Sequence, residues 1–312
     1  MLERLTGCVL LAASFVLASC DMLSQPPDRI VRPAPPLPAP VVITAPAAVA
    51  ARPSVVHDAG LVQGLERTAQ TLVDERRLVP LAELQKQSGR TQCSLSLPRP
   101  LPQKLTPSQI YEQCQRSVLI IGGIHKCDKC PRWHADTSSA FPITPTGAVV
   151  TNHHVVANKT HYSLVAMTAE GAVFPVKEVL AANADDDVAI LQLDTKGAAL
   201  PAVALSARAP VGTPVCLISH PDRHFYSLTC GVVSRYSDRE KNGKNVLLMD
   251  ITADFARGSS GAPVFNEQGA VVGFVASTES LYYHVVDGRK EDLQMVFKHC
   301  VPAENVLKLI RP

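Results

Sequence analysis

At 312 residues the chain has room for roughly two or three average domains, or for one large all-β unit with accessory segments. Its 30 basic residues nearly balance 28 acidic ones and form no long run, which excludes the phosphate-tracking charge of a nucleic-acid binder. A single Trp offers no base-stacking platform, and 46% hydrophobic content excludes a wholly disordered chain.

In chain order, the first feature is the apolar run Cys8 to Ser19. Twelve residues are too few to cross a bilayer as a helix, so the run reads as the hydrophobic region of an export signal. Leu17-Ala18-Ser19-Cys20 resembles the lipobox at which bacterial lipoprotein precursors are cut and acylated. Residues 1–20 are therefore expected to be a lipoprotein signal, with Cys20 the lipidated mature N-terminus and a membrane the partner. Residues 21–56 are expected to be a tether: Pro26 to Pro53 holds nine of 25 prolines among Ala and Val, which favours extended polyproline II.

Residues 57–115 read as a helical extension. Leu61, Leu65, Ala69, Leu72 and Val73 recur at helical spacing. Thr106-Pro107-Ser108-Gln109 carries a capping-box Thr and Gln with Pro at the first helical position, so a short helix should run through Tyr111 to Gln115. Beyond it come short β-type runs: Ser117–Ile121, Ala148–Val150, Ala172–Leu180, Val188–Leu193, Pro214–Ser219, Ser227–Val233, Val246–Met249 and Ala270–Ala276. Many short strands without intervening long helices imply a sandwich or a pair of barrels. A last helix is expected over Pro302–Ile310.

Three segments carry the chemistry: Thr151-Asn152-His153-His154-Val155-Val156, Asp187-Val188-Ala189-Ile190-Leu191 and Gly258-Ser259-Ser260-Gly261-Ala262-Pro263. Each alone is ordinary turn or strand-end sequence. Together, in this order, they resemble the motifs T-N-x-H-V-V, D-x-A-x-L and G-x-S-G-x-P of trypsin-like serine peptidases of the HtrA type. The resemblance covers about Ser117 to Ile310. It implies an all-β fold of two packed six-stranded antiparallel β-barrels, 116–205 bearing His and Asp and 206–312 bearing Ser and the C-terminal helix. It also implies a serine endopeptidase acting on proteins or peptides without a cofactor or metal. Only 52 residues follow Ser260, so a C-terminal PDZ module is not expected. Nothing in the sequence sets an oligomeric state.

A serine hydroxyl is a poor nucleophile near neutral pH and needs a base; imidazole has the right pKa, and a carboxylate behind it fixes its tautomer. In the family register these are Ser260, His154 and Asp187, with the amides of Gly258 and Ser260 as the oxyanion hole. The neighbours His153, Asp185, Asp186 and Ser259 fall out of register. Asp254 lies six residues before Ser260, where trypsin-like enzymes carry the acid of a basic-specific pocket. Ala256 departs from the disulfide-walled version of that pocket, and HtrA-type enzymes favour small aliphatic side chains instead. A non-catalytic lipoprotein that uses the cleft to hold peptides is the alternative function.

An exported chain can oxidise its cysteines. Cys216 and Cys230 fall on runs expected to be neighbouring strands, and Cys93 and Cys114 flank a proline-broken segment they could staple; Cys300 is left buried and free. His125-Lys-Cys127-Asp-Lys-Cys130-Pro-Arg-Trp-His134 is compatible with a Cys127–Cys130 disulfide or thiol pair, with zinc, or with redox exchange. This loop is expected to join the first two strands of the first barrel.

Overall fold

The structure is a computed structural model that describes residues 55–286 and 288–311. The expected signal, the lipobox Cys20 and the Pro26 to Pro53 stretch lie outside the described residues. Those described belong to one compact unit, Ser54–Pro312.

The extension comprises helix α1 (Asp58–Asp74), helix α2 (Leu81–Gln85), the two-residue strand β1 (Cys93–Ser94) and helix α3 (Pro107–Cys114). The apolar spacing read from the sequence is the buried face of α1, where Leu65, Ala69 and Leu72 are almost fully covered. The capping box of α3 also forms: the Gln109 amide donates to Thr106 Oγ1 at 3.3 Å, and the Thr106 amide donates to Gln109 Oε1 at 2.9 Å.

The first barrel contains β2 (Leu119–Lys126), β3 (Trp133–Pro142), β4 (Ala148–Thr151), the one-turn helix α4 (His153–Val156), β5 (Ser163–Met167), β6 (Val173–Asn183) and β7 (Val188–Leu193). They close in the order β2-β3-β4-β7-β6-β5. The second contains β8 (Pro214–Ser219), β9 (Ser227–Lys241), β10 (Lys244–Ile251), β11 (Pro263–Asn266), β12 (Val271–Val286) and β13 (Arg289–Pro302), closing as β10-β13-β12-β11-β8-β9. All pairings within each ring are antiparallel. The expected two six-stranded barrels are thus present.

Strand β2 is buried on both faces. Leu119 and Ile121 join Leu164, Ala166 and Leu191 with Leu81 and Leu84 of α2 in one core. Ile120 and Ile124 join a second core with Leu65 of α1 and with Phe265 and Phe274 of the other barrel. A third core, with Val215, Leu217, Met249, Ile251 and Val264, lies in the second barrel.

The expected C-terminal helix is shorter than Pro302–Ile310. Helix α5 spans Ala303–Leu307 and is followed by strand β14 (Ile310–Arg311), which pairs parallel with β1. The Cys93 amide donates to the Leu309 carbonyl at 2.8 Å, so backbone hydrogen bonding draws the last turn of the expected helix into a ribbon. Strands β12 and β13 also continue far past Ala270–Ala276 as a protruding hairpin whose Tyr283, Val285, Leu293 and Met295 are exposed.

Cys216 and Cys230 face each other across β8 and β9 and are disulfide-bonded. The staple weighed for Cys93 and Cys114 does not form. Cys93 Sγ lies 3.5 Å from the Leu309 carbonyl, whereas Cys114 is buried on α3 and burial pushes its thiol up to about 11. Cys127 and Cys130 are also free thiols in the structure, and Cys300 is a buried one, its pKa raised by burial.

Candidate active site

His154 and Asp187 are brought together by two chain ends of the first barrel. Strand β4 ends at Thr151, Asn152 precedes α4, and His154 sits on that single turn. Asp187 precedes β7 in a left-handed conformation, φ 57°, which Asp tolerates better than most side chains. Its carboxylate is bound from several directions. The His154 amide donates to Oδ1 at 2.9 Å, Asn152 Nδ2 donates to Oδ2 at 3.0 Å, and His154 Nδ1 lies 2.8 Å from Oδ2. A carboxylate only accepts, so the hydrogen belongs on Nδ1 and Nε2 is left with a lone pair. The His153 amide donates to the Asp187 carbonyl at 3.2 Å, closing the clamp.

The neighbouring candidates have other partners. Asp185 pairs with Lys244 at 2.8 Å, and that contact holds its pKa below the usual value. Asp186 accepts from Asn183 at 2.7 Å, and burial raises its pKa. The imidazole of His153 is half-buried, and desolvation lowers its pKa.

Ser260 lies in a turn bounded by Gly258 at φ 94° and Gly261 at φ 84°, left-handed conformations that a Cβ disfavours. Space is also absent. A Cβ at Gly258 would come within 2.6 Å of the His220 carbonyl, and one at Gly261 would strike the Ser139 carbonyl. Among the described residues neither the Gly258 nor the Ser260 amide donates a hydrogen bond. Ser259 is fully buried, with its hydroxyl 3.2 Å from that of Ser219, whereas Ser260 is partly exposed.

The turn is held against the first barrel by Ser139, whose amide donates to the Ser260 carbonyl at 2.7 Å. The Ser139 carbonyl accepts from Thr151 Oγ1 at 2.8 Å, three residues before His154. The serine turn and the His–Asp pair are therefore adjacent across the barrel junction. No hydrogen bond joins His154 to Ser260 among the described residues. A cavity of about 260 Å³ beside His154 is lined also by Leu248, Ala276 and Ser277 of the second barrel. Ser139 and Asn152 were missed as supporting residues. Asn152 had a signal in its place two residues before His154, whereas Ser139, 121 residues before Ser260, had none.

Asp254 is not at the base of a pocket. Its side chain is 84% exposed and pairs with Lys298 at 3.3 Å. An open carboxylate already facing a lysine gives little selectivity for a basic side chain.

His220, whose carbonyl lies under Gly258, is fully buried. Its Nδ1 accepts from the Tyr226 amide at 3.1 Å, and burial lowers its pKa from 6.5 to about 4. The folded pKa lies below the unfolded one, so between these values the unfolded chain binds a proton that the folded chain refuses. The stabilisation is complete above pH 6.5 and is lost as pH falls toward 4, on the order of 3 kcal/mol in all at 1.36 kcal/mol per unit. Urea melts from pH 7.5 to 4.5 should show a slope that His220→Gln flattens; equal slopes would exclude His220 as its source.

Two closed six-stranded antiparallel barrels place the protein in the trypsin-like fold class. Residues 138–274 match the family described as the trypsin-like peptidase domain. It is 29% identical over 191 residues to Protease Do-like 5, chloroplastic, of Arabidopsis thaliana, covering 56% of this chain and 58% of that protein. It is 33% identical over 137 residues to a probable periplasmic serine endoprotease DegP-like of Ectopseudomonas mendocina, covering 43% of this chain and 28% of that protein. The crystal structure of Deg5 aligns over 64% of this chain and 90% of that one, at 23% identity and a TM-score of 0.48. The chain is similar to these proteases over its two barrels, and it spans 58% of the first curated relative's length and 28% of the second's.

Proposed function

We propose that the protein is a serine endopeptidase that cleaves peptide bonds through an acyl-enzyme on Ser260. The observation that carries this reading is the 2.8 Å His154–Asp187 contact in a backbone-clamped carboxylate, set beside a glycine-bounded serine turn with two free amides. His154 Nε2 takes the Ser260 proton as Oγ attacks the substrate carbonyl, and the amides of Gly258 and Ser260 receive the oxyanion. The same proton then passes to the leaving amine. Water deacylates the ester by the reverse sequence, regenerating Ser260. With Asp254 exposed and paired to Lys298, it supplies no buried charge for a basic side chain, which supports the reading that the primary pocket takes small or aliphatic ones. The experiment is reaction with a fluorophosphonate: wild-type protein should be labelled and Ser260→Ala should not.

The reading includes export and a lipid anchor at Cys20, supported by the apolar run from Cys8 to Ser19, by Leu17-Ala18-Ser19-Cys20 and by relatives named periplasmic. The mass of the mature N-terminal peptide should equal that of a diacylated or triacylated Cys20. An unmodified N-terminus at another residue would remove the anchor from the proposal.

A further inference from the structure

The loop between β2 and β3 gathers groups that the proposed peptidase chemistry does not use. Sγ of Cys127, Sγ of Cys130 and a ring nitrogen of His134 all lie within 4.8 Å of one another. Within this set Cys130 Sγ is 3.2 Å from His134 Nε2. The opposite nitrogen, His134 Nδ1, is 3.1 Å from Glu66 Oε1, a carboxylate on α1 sixty-eight residues away in sequence. The Lys129 amide points at Cys127 Sγ at 3.4 Å, and the Cys127 amide donates to the Arg132 carbonyl at 3.3 Å, so the backbone folds the two thiols to one side. The nearby Lys126 ammonium donates to the Pro131 carbonyl at 2.5 Å.

We propose that Cys127, Cys130 and His134 form a zinc(II) site, with Glu66 orienting the histidine and the fourth coordination position open to solvent. Zn–S bonds near 2.3 Å and Zn–N bonds near 2.0 Å require ligand atoms roughly 3.5–3.8 Å apart, which a small adjustment of these side chains gives, the 3.2 Å Cys130–His134 pair opening slightly within a set whose atoms all lie within 4.8 Å of one another. Two thiolates and an imidazole are a donor set that zinc favours over magnesium or calcium. The histidine decides between zinc and a bare disulfide. A Cys127–Cys130 bridge has no use for Nε2 directed at a thiol, nor for a carboxylate on the far ring nitrogen, whereas a metal-bound histidine needs both. The three ligand residues are half-buried in a loop that is otherwise exposed, which leaves an entry path for the ion. Because Glu66 belongs to α1 and the thiols to the barrel, the site fastens the helical extension to the first barrel.

The test uses the full chain isolated under reducing conditions and titrated with Co(II) as the spectroscopic probe, then with Zn(II) as competitor. Expected are one equivalent of bound cobalt with thiolate-to-metal charge-transfer absorption, its displacement by zinc, and loss of the band in Cys127→Ser/Cys130→Ser and in His134→Ala. The double variant also separates this site from the other free thiols among the described residues, Cys93, Cys114 and Cys300. Glu66→Gln, which removes no ligand, should weaken affinity about 10- to 100-fold while keeping the band. The proposal is overturned if wild-type protein shows no charge-transfer band, if the band survives in the double variant, or if Glu66→Gln binds as tightly as wild type. Fluorophosphonate labelling of each variant serves as the check that the barrels are folded, and the wild-type titration stands without any variant.

Discussion

Ser260→Ala is expected to abolish both peptide hydrolysis and fluorophosphonate labelling, whereas Ser259→Ala should retain most of each. Loss of the nucleophile from such a triad costs on the order of 10⁶-fold in kcat, and what remains comes from binding and the oxyanion amides. The two serines are adjacent in sequence but opposite in environment. Ser260 is partly open and shares its turn with two free amides. Ser259 is buried against Ser219, at 3.2 Å between hydroxyls, so its loss removes one hydrogen bond worth about 1 kcal/mol of stability and no chemistry. Fluorogenic peptide turnover and probe labelling should be measured on both variants, with thermal melts to show that each is folded. Equal losses in the two would mean that the turn presents the wrong serine. Full activity in Ser260→Ala would remove Ser260 as the nucleophile.

Strand segments that behave locally could be read from the sequence. Val188–Leu193 and Pro214–Ser219 were delimited to the residue because each is a short apolar run bounded by turn residues. Four barrel strands fall outside the expected runs, as do the two-residue strands β1 and β14. Trp133–Pro142 is mostly polar along its first half, and it is covered by α1 and, at Phe141, by Phe274 of the second barrel, which no local pattern announces. Arg289–Pro302 begins with exposed charges because it is one arm of a protruding hairpin, so only its last residues carry a core signal. Ser163–Met167 and Pro263–Asn266 are short and buried at nearly every position, which erases the alternation that marks a strand. For the candidate site, the turn bounded by Gly258 and Gly261 was legible because a tight turn imposes its residues locally. The surroundings of Asp254 and the partners of Cys93 and Cys114 were not. A pocket wall and a disulfide both depend on where distant segments pass, and the β1–β14 ribbon that draws in Cys93 joins residues more than two hundred apart.

Asp187→Asn is expected to lower kcat on the order of 10⁴-fold while leaving the fold intact, an effect that follows from counting donors. Two carboxylate oxygens now face three hydrogens: the His154 amide on Oδ1, and Asn152 Nδ2 with His154 Nδ1 on Oδ2. Replacing one oxygen by an amide nitrogen leaves one acceptor group for three donors. If the remaining oxygen keeps the His154 amide, the new NH₂ faces Nδ1, and the imidazole relieves the clash by moving its hydrogen to Nε2. In that tautomer Nε2 has no lone pair for the Ser260 proton. The negative charge that would stabilise the imidazolium is lost as well. Backbone strain does not change, because Asn adopts the φ of 57° at this position as readily as Asp. Melting temperature should therefore shift by only a few degrees, and ¹⁵N shifts of His154 should report the hydrogen on Nε2. A loss smaller than tenfold in kcat, with the protein folded, would show that Asp187 does not orient the base. A large loss with Nδ1 still protonated would leave the missing charge, rather than the tautomer, as the cause.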